Sequence, residues 1–230
     1  MEKIIILLVL IMTTSLSVSC DINKQSTDKE TVSKENTVVT TENISTKGNK
    51  NNVIDYLDKK ILIVYFSASN FSDVDAVSSA TANGDKEGAT GVFAQYIQER
   101  VGGDIVKILP KEDYPGDYNH LLERAKKEKE AREYPQFTVD VNPEEYDIIF
   151  VGYPIWSYDM PRVMYTFFAR YDFTGKTLIP FNTYGSSLDG GTYDKIRELE
   201  PDAIVADGLA IEGKSIDSSK EYVEQWVPEL

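Results

Sequence analysis

The chain has 230 residues, which is enough for one domain with a sizeable core that needs no disulfide. Its formal charge of −14 argues against nucleic-acid binding, because a phosphate backbone is neutralised by lysine and arginine and repelled by carboxylates. Aromatic residues make up 11% of the chain, which predicts a packed globular core.

The first 19 residues have the pattern of a signal peptide. A weakly basic start with Lys3 is followed by an apolar run over residues 4–12, which is too short to span a bilayer. The small residues before Cys20 resemble a bacterial lipoprotein signal, in which the cysteine is acylated and becomes the first mature residue. Such signals usually place leucine three positions before the cysteine, where this chain has Ser17 with Leu16 one position earlier. Secretion with a different cleavage site, or a retained anchor, stays open.

Cys20 is the only cysteine, which excludes an internal disulfide, a thiolate metal cluster and a cysteine nucleophile. Lipid chains on this residue would hold the protein on a membrane without a spanning helix. We therefore expect a lipid-anchored protein on the extracytoplasmic face of a cell membrane.

Residues 20–52 form the predicted tether. After Cys20 they are mostly Ser, Thr, Asn, Lys and Glu, contain no aromatic residue and carry equal numbers of acidic and basic side chains. Such a segment buries too little apolar surface to offset the entropy of ordering, so we expect it to be disordered, with a reach of roughly 30 Å. The folded domain is then expected over residues 53–230.

From residue 60 onward, apolar runs alternate with amphipathic stretches. The pattern predicts strands over residues 61–66, 104–109, 146–151, 176–181 and 203–211, and helices over residues 91–101, 118–132, 161–171, 193–199 and 218–226. Five alternations of strand and helix predict an α/β fold with parallel strands joined by right-handed crossovers.

Three loops follow the carboxyl ends of predicted strands, where ligands bind in open parallel sheets. The first contains Ser67, Ala68 and Ser69, whose hydroxyl and N–H groups can surround an anion; the alternative is a surface insertion before an ordinary helix cap at residues 88–90. It has neither the Walker pattern nor G-x-G-x-x-G.

The second loop, residues 152–161, carries large aromatic side chains, including Trp156. Exposed aromatic rings favour a flat ligand that covers them, although Trp156 packed on a neighbouring helix is the alternative. The third loop contains Thr183, Tyr184 and Gly185, and glycine there permits close approach of a ligand. His120, the only histidine, is interpreted as a solvated surface residue, and a multi-histidine metal site is excluded by count.

Together these segments resemble the flavodoxin family, in particular its longer bacterial branch. The likeness lies in IVYFSAS, the YPIW loop with its trailing MP, YDFTGKTLIPFNTYGS, DGLAI and KEDYPGDYNHLLERAKKE, and it extends from about residue 60 to the C-terminus. Family members commonly read Gly-Asn-Thr where this chain has Gly88, Ala89 and Thr90, and often carry a second aromatic residue where it has Ser157.

The resemblance implies a three-layer, flavodoxin-like fold with a five-stranded parallel sheet in the order 2-1-3-4-5, helices on both faces, and FMN at the carboxyl ends of the strands. It implies a phosphate site and a flavin site. The phosphate site would be formed by Ser67, Ala68, Ser69 and Thr90, with backbone help from Gly88 and Ala89. The flavin would lie against Tyr153, Pro154, Ile155 and Trp156 on one edge and Thr183, Tyr184 and Gly185 on the other.

The function implied is electron transfer by bound FMN with a redox partner protein. An FMN-dependent, NAD(P)H-fed reductase of quinone-like acceptors is the first alternative, so whether the chain is an enzyme stays open. A flavodoxin-shaped binding module that has lost FMN is the alternative from another class.

Overall fold

The computed structural model describes residue 56, residues 58–68 and residues 87–227, and its centre is a parallel sheet. The strands are β1 (Ile61–Tyr65), β2 (Asp104–Lys107), β3 (Leu109–Pro110), β4 (Phe137–Thr138), β5 (Ile148–Pro154), β6 (Thr177–Tyr184), β7 (Ile204–Val205) and β8 (Leu209–Glu212). The sheet runs β2-β1-β5-β6-β7, with β8 also paired to β6, whereas β3 and β4 form a separate antiparallel pair.

This arrangement confirms the predicted α/β fold and strand order, because β5 and β6 are the third and fourth main strands. β1 and β5 are buried along their whole length, as expected for strands covered by helices on both faces.

The predicted fifth strand is divided into β7 and β8. β7 pairs with the start of β6, and β8 pairs with its end. The N–H of Ala206 donates to the carbonyl of Leu178, so the backbone N–H and C=O groups of even-numbered residues in β6 point to this edge. Pro180 is one of these residues and has no N–H to donate. Gly208 passes so close to the Pro180 carbonyl that a side chain there would clash, since an added Cβ would lie 2.5 Å from that oxygen.

The helices are α1 (Ala89–Val101), α2 (Tyr118–Ala131), α3 (Arg162–Arg170), α4 (Thr192–Leu199) and α5 (Lys220–Trp226), with two 3-10 turns at Pro143–Glu145 and Gly213–Ser218. Alternating residues of β1 face opposite sides of the sheet. Ile61, Ile63 and Tyr65 pack with α1 and α5, whereas Leu62, Val64 and Phe66 pack with α2, α3 and α4. The result is three layers with a core on each side of the sheet.

The signal peptide, Cys20 and the tether lie outside the described residues, as does the expected domain boundary near residue 52. Within the described ranges, no helix has the length and apolar character needed to cross a bilayer.

Candidate functional site

Ser67 lies two residues beyond the end of β1. Continued alternation from Ile63 and Tyr65 would direct its side chain to the α1 face, and the residue is only 3% exposed. Its Oγ has no hydrogen-bond partner among the described residues, which is costly for a buried hydroxyl. Ala68 is half-buried against the opposite core, and Ser69 lies outside the described residues.

The start of α1 supplies the opposite wall of this site. Gly88 is the N-cap in an extended conformation, and Ala89 and Thr90 are buried in the first turn. The first N–H groups of a helix have no partner within the helix, so this turn presents donors to an anion. The Thr90 hydroxyl lies 2.7 Å from the hydroxyl of Thr183, which joins α1 to β6 across 93 residues of sequence.

Glu87 and Lys107 form an ion pair beside this turn, with the Lys107 Nζ 3.0 Å from Glu87 Oε2. The carboxylate also lies near the ring of Tyr65, and burial together with this charge raises the pKa of the Tyr65 hydroxyl well above its usual value. This wall is therefore built from neutral hydroxyls and N–H groups, with one acid and one base beside it.

The last residues of β5 are buried before the chain turns into the following loop. Tyr153 is wholly buried and its hydroxyl lies 2.9 Å from that of Thr192, so its ring belongs to the core and only its backbone faces the edge. Pro154 pairs with Thr183 at the end of the strand, and the N–H of Ile155 donates to the Thr183 carbonyl at 2.8 Å.

Trp156 lies in the core beside this loop, with 3% of its surface exposed. Its ring meets Phe66 edge-on at 5.4 Å and Tyr114 at 5.0 Å, the geometry that aromatic pairs prefer. The two residues that follow, Ser157 and Tyr158, both have positive φ, and the Tyr158 side chain is 70% exposed.

The end of β6 and the loop after it form the remaining wall. Thr183 is buried, and Tyr184 and Gly185 are half-buried at the strand end. Asn182 is fully buried and fixes the loop, because its amide donates to the Leu188 carbonyl at 3.0 Å and its oxygen accepts from Tyr193.

The structure thus brings Thr90 and Thr183 into contact and places Ser67, Pro154, Ile155, Tyr184 and Gly185 at the same edge of the sheet. Sequence reasoning missed Tyr158 and Asn182. An aromatic residue in a predicted turn indicates an exposed ring, which could have identified Tyr158 from the sequence. Its positive φ had no such indication, because the position is not a glycine.

A cleft of about 170 Å³ opens beside the ends of β1 and β2. Its lining is polar and apolar in nearly equal parts: Ser67, Lys107 and Asp113 are polar, and Ala68, Leu109, Pro110 and Tyr114 are among the apolar residues. Glu128 of α2, itself buried, accepts a hydrogen bond from the Tyr114 hydroxyl at 2.9 Å and thereby holds one wall of the cleft.

Metal chemistry has no evident site in the described ranges, which contain no cluster of three or more histidine, cysteine or acidic side chains suited to an ion. His120 is exposed at the start of α2, where its N–H donates to the side chain of the N-cap residue Asp117. The loops at the carboxyl edge therefore remain the candidate site.

Comparison with known proteins agrees with this geometry. The model of a family described as flavodoxin matches residues 80–230. The chain belongs to the flavodoxin family. The matched range contains α1, β5 and β6, whereas β1 and Ser67 precede it. No curated protein sequence matches the chain.

Solved structures of flavoproteins are similar to this chain at low sequence identity. A candidate flavoprotein of Bacteroides uniformis is 29% identical with a TM-score of 0.58, over 73% of this chain and 97% of that one. Another, from Bacteroides eggerthii, is 27% identical with a TM-score of 0.54, over 72% and 98%. A Lactobacillus acidophilus flavoprotein solved in complex with FMN is 17% identical with a TM-score of 0.49, over 70% and 97%.

Proposed function

We propose that this flavodoxin binds FMN at the carboxyl edge of its sheet and acts as an electron carrier. The observation that carries the proposal is the Ser67 hydroxyl, which is buried just beyond the end of β1 without a partner among the described residues. Leaving such a group unpaired costs about 1–3 kcal/mol, and a phosphate oxygen that accepts a hydrogen bond from it would remove that cost.

The residues around Ser67 suit a phosphate. Thr90 and the N–H groups of Gly88 and Ala89 belong to the first turn of a 13-residue helix, whose dipole favours an anion. The hydroxyl of Thr90 already has Thr183 as a partner, so Thr90 can accept from one group while it donates to another. Ser69, assigned to the same site from sequence, lies outside the described residues.

The flavin ring would lie beyond the ends of β5 and β6, beside Pro154, Ile155, Tyr184 and Gly185. FMN supplies reversible one- and two-electron transfer, and the protein would bind it, orient it and exclude water from one side. Among the described residues, the donors assigned to the phosphate are uncharged, and the nearby Lys107 is paired with Glu87, so binding would rest on hydrogen bonds and the helix dipole.

Electron transfer is favoured over NAD(P)H-dependent reduction by the proposed location. A protein outside the cytoplasm has no ready supply of nicotinamide cofactor, whereas a carrier needs only a redox partner protein. The reductase is the second candidate because the cleft of about 170 Å³ beside Ser67, lined by both polar and apolar groups, has room for one ring of a quinone-like acceptor.

The test uses the full chain purified in detergent, stripped of flavin and titrated with FMN and with riboflavin, which lacks the phosphate. Wild type should bind FMN, and Ser67→Ala should lower its FMN affinity about 10- to 100-fold, the equivalent of one hydrogen bond to a charged group. Riboflavin affinity should not change. A wild-type protein that binds neither flavin contradicts the proposal and favours the binding module without FMN.

The same preparation separates the two redox candidates. FMN-loaded protein that oxidises NADH or NADPH with a quinone present acts as a reductase. Protein that accepts electrons from dithionite, passes them to an external acceptor and leaves NADH and NADPH untouched acts as a carrier.

We propose further that Cys20 is lipidated and that the protein is anchored on the extracytoplasmic face of a cell membrane. The support is the apolar run and small residues before this single cysteine. Wild type should partition into the detergent phase and Cys20→Ala into the aqueous phase. Mass spectrometry of the N-terminal peptide should find acyl chains on Cys20, and an unmodified thiol would contradict this proposal.

A further inference from the structure

A carboxylate of the chain lies beside the helix turn that is proposed to bind the phosphate. Glu87 directly precedes Gly88, the N-cap of α1, and its side chain reaches over the first turn as far as Gly91. A Cβ added to Gly91 would lie 2.8 Å from Glu87 Oε2, so the carboxylate occupies the space that a side chain at this position would fill. The positive end of the α1 dipole therefore already has a negative charge beside it.

The ends of two strands hold this carboxylate. Tyr65 ends β1 and Lys107 ends β2, and the two are register partners, so their side chains leave the sheet on the same face. The Tyr65 hydroxyl donates to the Glu87 carboxylate, and Lys107 Nζ lies 3.0 Å from Glu87 Oε2. The exposed fractions of the Lys107 and Glu87 side chains are 19% and 33%, so solvent screens their charges only in part.

Lys107 also belongs to the candidate site itself. It lines the cleft of about 170 Å³ at the ends of β1 and β2 together with Ser67, whose buried hydroxyl has no partner among the described residues. An ammonium group in the same cleft as this hydroxyl attracts an anion that binds there. In the structure the Glu87 carboxylate pairs with that ammonium group. A bound phosphate and Glu87 would thus compete for one cation and for one helix terminus.

We propose that Glu87 competes with the phosphate of FMN and weakens its binding, and that Lys107 acts in the opposite direction. The role of both residues rests on the proposed binding of FMN. A phosphate monoester carries close to two negative charges near neutral pH, so Glu87 repels it and Lys107 attracts it. Riboflavin has no phosphate and is insensitive to both charges. The two side chains therefore set how strongly the site prefers FMN over riboflavin.

The test measures FMN and riboflavin affinities of the full chain in detergent, stripped of flavin, at about pH 8, where the phosphate is fully ionised. Glu87→Gln removes the charge and keeps an oxygen that accepts from Tyr65. Lys107→Met removes the ammonium group and keeps the length of the side chain. Glu99→Gln is the matched control, because Glu99 lies at the other end of α1, 2.6 Å from Lys220, and both side chains are about half exposed.

The two variants should change FMN affinity in opposite directions. Glu87→Gln should bind FMN about 3- to 10-fold more tightly than wild type and Lys107→Met about 3- to 10-fold more weakly, with riboflavin affinity unchanged in both. The double variant should return close to wild type, since both charges are gone. The single effects should shrink as the salt concentration rises to about 1 M. Glu99→Gln should change neither affinity.

The signs of these changes distinguish competition from a role in holding α1 on the sheet. Circular dichroism and the melting temperature of each variant establish that the fold is retained. Wild type that binds no FMN overturns both this inference and the proposed function. Wild type that binds FMN, with Glu87→Gln as weak as Lys107→Met, overturns the competition alone. Equal changes for FMN and riboflavin, or changes that salt does not reduce, also overturn it alone.

Discussion

Replacement of Arg124 by methionine should destabilise the fold strongly. Glu128 is buried in α2, and its carboxylate is held by Arg124 Nε at 2.8 Å and by the Tyr114 hydroxyl. Arg124 also donates to the carbonyl of Asp113 and stacks over the Tyr114 ring at 4.2 Å. Arg124→Met keeps the length of the side chain but leaves a buried carboxylate without its cation.

The magnitude follows from the burial of Glu128. Removal of one partner from a buried ion pair costs about 3–5 kcal/mol, since the remaining charge keeps its desolvation penalty. The matched control is Lys127→Met, one turn along the same helix, where Lys127 lies 2.9 Å from Glu123 and both side chains are more than half exposed. An exposed pair of this spacing contributes little to stability, because solvent screens both charges.

Urea unfolding followed by tryptophan fluorescence is the assay, because Trp156 packs against Tyr114 and should report the loss of this contact. Arg124→Met should lower the urea midpoint far more than Lys127→Met. Equal and small shifts in the two variants would mean that the Glu128 carboxylate is solvated in solution, and would refute the reasoning.

Three smaller changes test other features. Arg132→Gly should stabilise the protein by about 0.5–1 kcal/mol, because Arg132 ends α2 at φ 52°, whereas Arg132→Ala, which keeps the strain, should bring no such gain in chemical denaturation. Thr183→Val should lower the stability by about 1–3 kcal/mol, since it leaves the buried Thr90 hydroxyl without a partner; an unchanged urea midpoint would contradict the 2.7 Å contact. Partial burial and the charge of Asp172 raise the pKa of Glu200 from 4.5 to about 7, so the folded state binds the extra proton and stability should fall as pH rises between these values. Glu200→Gln should make the melting temperature less dependent on pH over this window and should raise the melting temperature at pH 8. Parallel curves of melting temperature against pH for wild type and variant would show that Glu200 is fully solvated.

The sheet was predictable from sequence because its strands are long and apolar. β1 and β5 are continuous apolar runs, which only a buried parallel strand accommodates, and the helices between them follow the helical period. The division of the fifth strand was not predicted, although Pro180 and Gly208 are its visible causes. The strand β3 has two residues, too few to show any periodicity, so its pairing with β4 was also missed.

The site was predictable as a set of loops, and its internal contacts were not. Strand ends converge at one edge by topology, which places Ser67 and Thr183 there from order alone. That the hydroxyl of Thr90 meets that of Thr183 depends on how α1 packs over the sheet. Whether Trp156 turns inward and Tyr158 outward depends on a turn conformation that sequence does not mark in non-glycine residues.

The divided fifth strand also bears on how the protein behaves beside other copies of itself. A sheet edge of regular length offers a row of unpaired N–H and C=O groups on which another chain can build a β-ladder, the first step of aggregation. Here that edge consists of a two-residue and a four-residue piece, interrupted at Gly208, while the opposite edge, β2, begins and ends with charged Asp104 and Lys107. The break opposite Pro180 therefore protects the sheet against edge-to-edge association as well as ending a strand.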